Sequence, residues 1–142
     1  MIALFTCIIS CLFLATPIKA GITESGQIQN TNVSISIVNG TTVQVSFSIT
    51  GTSSMDQLGV TSVSFYRSDG TLVVTRSYTQ PNFTYLMANN RINHSGSVSL
   101  NCINGYSYYA IVNFYAEKDG ESDSLSKTSG MITVNAWFIT KT

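Results

Sequence analysis

The chain has 142 residues, only 10% of them charged, and its seven basic and seven acidic side chains cancel. Soluble domains usually carry roughly 25% charge, and no basic stripe is present to hold phosphate backbones, so no nucleic-acid partner is expected. The length suits one ordinary domain. Its polarity comes from Ser, Thr, Asn and Gln, which favour strands and turns over helices.

Residues 1–15 are almost purely apolar, and Thr16-Pro17-Ile18-Lys19-Ala20 follows with a helix breaker and a small residue suited to cleavage. The pattern predicts a secretory signal peptide over residues 1–20, although no Lys or Arg precedes the apolar run. As a helix the run would reach about 22 Å, short of the roughly 30 Å hydrocarbon core. Membrane contact is therefore expected only through the signal peptide, and the mature chain is expected outside the cell. Cys7 and Cys11 fall in the removed segment, which leaves Cys102 alone and rules out an intramolecular disulfide.

The elements expected after residue 20 are strands. Val33, Ile35 and Ile37 alternate with polar residues, Asn39-Gly40 gives a hairpin turn, and Val43, Val45, Phe47 and Ile49 alternate again. A polar loop from Thr50 to Gln57 is expected next. Leu58 to Arg67 then forms a strand with Val63 and Phe65 inward and Tyr66 outward. Ser68-Asp69-Gly70 turns the chain into a strand through Leu72, Val74, Arg76 and Tyr78. The stretch from Thr79 to Ser95 lacks clean alternation and reads as a long connection.

Regularity returns at Val98 and Leu100, then Asn104-Gly105 opens the longest strand. Tyr106, Tyr108, Ala110, Val112, Phe114 and Ala116 share one of its faces, and Tyr109, Ile111, Asn113, Tyr115 and Glu117 the other. Asp119-Gly120 leads into a Ser-rich strand from Glu121 to Ser129. About seven short strands with turns every 8–12 residues predict an all-β, immunoglobulin-like or fibronectin-III-like antiparallel β-sandwich over residues 21–135. Tyr106 or Tyr108 is placed to form a tyrosine corner, or else simply fills the core. Residues 136–142, which include Ala136-Trp137-Phe138-Ile139-Thr140, form an apolar C-terminal tail.

Three stretches carry a family likeness: Thr52-Ser53-Ser54-Met55-Asp56-Gln57-Leu58-Gly59-Val60, Gly105-Tyr106-Ser107-Tyr108-Tyr109-Ala110, and Gly120-Glu121-Ser122 through Lys127-Thr128-Ser129-Gly130. Across roughly 22–134 the chain resembles an uncharacterised family of small secreted proteins from Gram-positive, often gut-dwelling, bacteria. The resemblance implies one exported β-sandwich and no particular activity.

Catalytic chemistry finds little support. The only histidine, His94, sits in the irregular connection, where a solvated loop residue is expected, and Cys102 has no histidine near it in sequence. The acids fall mainly on turns, where carboxylates bond their own backbone. Asp119-Gly120-Glu121-Ser122-Asp123 alternates acids as a calcium loop does, but a hairpin turn accounts for it. Asn-X-Ser/Thr triplets begin at Asn32, Asn39, Asn82 and Asn93, as this composition produces by chance. No catalytic residue, metal or cofactor is expected. What remains is a surface: Tyr66, Tyr109, Ile111 and Tyr115 face outward on neighbouring strands, unless the connection or the tail covers them. The leading expectation is a secreted, non-enzymatic binding domain for a protein or glycan at the cell exterior. The alternative is a structural, self-associating surface component.

Overall fold

The computed structural model describes residues 26–135, so the expected signal peptide and the 136–142 tail lie outside the described residues. The chain is all-β. Seven strands among these residues form one antiparallel sheet: β1 (Ile28–Asn39), β2 (Thr42–Arg67), β3 (Leu72–Ser77), β4 (Met87–Asn101), β5 (Ser107–Lys118), β6 (Glu121–Thr128) and β7 (Ile132–Thr133).

The organising element is β2, which runs through the expected Thr50–Gln57 loop without ending. Its first half, from Thr42, pairs with β1 and β4; its last part, to Arg67, pairs with β3 and β5. At Gln57, Leu58 and Gly59 it is flanked by β4 and β5 together. Since β4 lies opposite β1 at one level and opposite β5 at the next, β1 and β5 share one side of β2, and β3 and β4 share the other. The break in register falls between Thr50 and Met55, where the 51–54 segment bulges opposite Ile92. Bulges bend the strand that carries them. The polar run that reads as a loop is this bulge.

The second departure is β4. Only Pro81–Leu86, a 3-10 helix, interrupts the expected connection, and the chain then runs as a strand from Met87 through His94 and Ser95 to Asn101. The expected strand from about Glu121 to Ser129 is present as β6, which ends at Thr128 because Ser129 leaves the ladder. There its hydroxyl accepts the Ala110 N–H at 2.9 Å while its own N–H donates to Ala110 O. The short β7 then takes up pairing against Ser107 and Tyr108.

The inward side chains of both halves of β2 meet in one core. Val43, Val45, Phe47 and Ile49 come from the first half, Met55, Leu58, Val60, Val63 and Phe65 from the second, and Tyr108 through Phe114 from β5. Phe47 meets Phe114 edge-on, with centroids 6.5 Å apart. Two links tie β1 and the residues before it to β6: Lys127 Nζ donates to Thr31 O at 2.7 Å, and the Gln27 N–H donates to the Asp123 carboxylate. The turns follow sequence chemistry. Asp119 and Gly120 both take positive φ (54° and 81°), as the tight turn between Lys118 and Glu121 requires. At the other end of β2, Asp69 accepts the Thr71 N–H, and that bond lowers its carboxyl pKa below the usual range.

Of the two tyrosines, Tyr108 fills the core and is the one that bonds back to the preceding connection. It is 1% exposed, and its hydroxyl accepts the Ile103 N–H, five residues upstream, at 2.9 Å. Tyr106, expected on the same buried face, is 45% exposed, because it precedes the strand and lies beside Arg67 instead. Replacing Tyr108 by Phe strands the Ile103 amide while leaving the ring packed. The expected loss is about 1–3 kcal/mol in urea denaturation, with an unchanged m-value.

Candidate functional site

The two outward faces of the sheet are built from neutral hydrogen-bonding side chains. Around the first half of β2, the alternate residues of Asn30–Ser36, Thr42–Thr50 and Asn93–Asn101 point outward, and every one is Ser, Thr, Asn or Gln. Several satisfy one another across strands: Thr42 donates to Asn101 at 2.8 Å and Thr50 to Asn93 at 2.9 Å. Around the second half, Ser64 and Thr75 bond at 2.9 Å, and Asn113 links Ser62 to Ser126.

On that second face the structure brings three of the four expected surface residues together. Tyr66 and Tyr109 are direct cross-strand partners, stacked with centroids 5.3 Å apart and planes 11° from parallel. Ile111 stands beside them opposite Ser64. Tyr115 does not join them. The Asn113 row lies between, and the Tyr115 hydroxyl donates instead to Glu117 at 2.6 Å. All four are half-buried.

Sequence reasoning missed two neighbours that complete the row. Leu72, opposite Tyr66, is 53% exposed because a bulge between Phe65 and Tyr66 turns it away from the core. Met131, 61% exposed, continues the Tyr108–Ile132 register to the level of Tyr109. The result is an apolar row, Leu72–Tyr66–Tyr109–Met131, adjoined by Ile111 and bordered beyond it by the hydroxyls and amide of Ser64, Thr75 and Asn113. Such a row immobilises two aromatic faces at strand spacing; stacked aromatic pairs gain about 0.5–1.5 kcal/mol beyond their burial. The 3-10 helix of the long connection packs on β2, β3 and β4.

The remaining titratable groups are accounted for by local contacts. The carboxylate of Glu117 raises the Tyr115 pKa above its ordinary value of 10, chiefly by accepting the phenol proton in a hydrogen bond. Glu117→Gln is expected to bring the Tyr115 ionisation back down toward that of a free phenol, about 10, which a spectrophotometric titration at 295 nm reads directly. Burial pushes the Cys102 thiol pKa up, away from the thiolate form in which cysteine reacts. His94 is a strand residue. Its ring meets Phe47 at 5.8 Å, and Nε2 bonds Tyr85 O at 2.9 Å. Among the described residues no group of three metal-ligating side chains converges, and Asp123, the last acid of the calcium-like run, is spent on Gln27.

Comparison with protein-family models, with curated proteins and with solved structures finds no match to this chain.

Proposed function

We propose that this chain is an exported, non-enzymatic binding domain that engages a protein or glycan at the cell exterior. The observation that carries the reading is the Leu72–Tyr66–Tyr109–Met131 row: flat aromatic surface, held by cross-strand stacking and bordered by uncharged hydrogen-bonding groups. Neutral surroundings suit a ligand recognised through apolar faces and hydroxyls, as sugars and uncharged protein patches are. Export rests on the apolar leader at residues 1–20. The immunoglobulin-like sandwich is supported by two facing halves of β2 over one core and by the Tyr108 corner. The likeness to small secreted proteins of Gram-positive gut bacteria fits the same picture.

The test is a panel of immobilised host-type glycans and surface proteins probed with the mature chain and with Tyr109→Ser. Binding that the substitution weakens by about tenfold or more supports the reading, in line with loss of one aromatic anchor. Binding indifferent to Tyr109 and Tyr66, or none across the panel, counts against it.

A second reading, a self-associating surface component, is favoured by the apolar tail and by exposed Ile103 and Tyr106 near the last described residues, where Val134 bonds Gly105 and Tyr106. Solution mass of residues 21–142, with and without 136–142, separates the two. An oligomer that dissolves on truncation moves this reading ahead; a monomer in both forms leaves the tyrosine row as the site.

A further inference from the structure

Where β2 and β4 bend together, the sheet forms an open cleft of about 660 Å3 that neither reading above uses. Two local features make the bend: the 51–54 bulge on β2 and Asn90 on β4, which takes a left-handed φ of 55°. Asparagine is among the few residues that tolerate that conformation.

The walls carry three kinds of chemistry. One is an aromatic ring held at both ends of its residue. The Tyr85 hydroxyl donates to Ser97 O at 2.8 Å, its carbonyl is bonded by His94 Nε2 at 2.9 Å, and the residue is 46% exposed. Another is a neutral hydrogen-bonding floor. Ser48 and Ser95 are cross-strand partners whose hydroxyls have no protein partner among the described residues. Asn93 uses its carbonyl oxygen on Thr50, which leaves both amide N–H groups for a ligand. The third is a single cation, Arg91, whose guanidinium has no carboxylate partner among the described residues. No acidic side chain lines the cleft.

We infer that this cleft is a saccharide site for a pyranose bearing one carboxylate. A sugar ring presents apolar C–H faces to an aromatic wall and hydroxyls to Ser and Asn, and Arg recognises a carboxylate by two parallel hydrogen bonds. A bare phosphate fits less well, because one guanidinium without a nest of backbone N–H groups leaves most of its charge unmatched. The site is separate from the tyrosine row, so the two stand or fall independently.

The experiment is a 15N-HSQC titration of the mature chain with methyl β-D-glucuronide and with methyl β-D-glucoside, which carries CH2OH in place of the carboxylate. The expected result is saturable shifts at the amides of Tyr85, Arg91, Asn93 and Ser95, with the glucuronide bound about tenfold more tightly, as for a charge-assisted bond. Arg91→Gln, at an exposed position, abolishes the preference. Tyr85→Leu weakens both sugars. Tyr109→Ser leaves the titration unchanged, and that separates this site from the tyrosine row. The inference is overturned if neither sugar shifts these amides, if both bind alike, or if sodium acetate shifts them as strongly as the glucuronide.

Discussion

Replacing Gly59 by Ala should destabilise the fold by about 3 kcal/mol or more, a large effect for one methyl group. Gly59 lies where both ladders flank β2: Met87 is its partner on one side and Tyr115 on the other. A Cβ there would stand 2.2 Å from Leu86 O and 2.8 Å from the Met87 Cα, both backbone atoms. No side-chain rotation relieves that contact. Either β4 shifts away from β2 or the buried Leu86 at the end of the 3-10 helix leaves the core. Gly130→Ala supplies the control, since nothing lies within 4 Å of its added Cβ and its φ is not in the left-handed region. That change should be neutral or stabilising by about 0.4–1 kcal/mol through the unfolded chain. Urea denaturation followed by circular dichroism reads both. A Gly59→Ala loss below about 1 kcal/mol would mean that the close approach of β2 to Leu86–Met87 is not a feature of the folded protein.

What the sequence made legible was the alternation itself. It showed β1, both ends of β2 and all of β5, because each alternates apolar with polar residues. Burial follows that alternation fully in β5 and from Val43 to Ile49 of β2, whereas in β1 Val33 and Ile35 are half-buried and Ile37 is exposed. It also showed Tyr66 and Tyr109 as outward neighbours, since parity and strand adjacency suffice for that. It hid the continuity of β2, because the bulge at 51–54 breaks the period of two and its polar residues look like a loop. It hid most of β4 for a different reason. The inward positions there are Gly96 and His94, and their apolar cover comes from the Phe47 ring of β2. The cleft at the bend escaped entirely. Its walls come from β2, β4 and the 3-10 helix, and only the bend brings them together.

The cover over Gly96 gives the second large effect. Phe47→Ala is expected to cost about 3–5 kcal/mol, as loss of a buried aromatic ring does. Phe47 is 3% exposed, packs edge-on against Phe114 and touches His94. The sharper prediction concerns the pair. A Cβ on Gly96 would lie 2.8 Å from Phe47 Cζ and 3.1 Å from Cε1, so in the wild-type chain Gly96→Ala pushes on a core ring and should cost about 1–3 kcal/mol. With Phe47 already replaced by Ala, the methyl enters the space the ring vacated and removes the entropy cost of a strand glycine, about 0.5–1 kcal/mol. The effect of Gly96→Ala therefore reverses sign between the two backgrounds. A double-mutant cycle in urea would show a favourable coupling above about 1.5 kcal/mol. Additive effects would mean that the ring does not rest on Gly96. The β2–β4 pairing would then owe nothing to that contact, and the missing apolar pattern in β4 would need another cause.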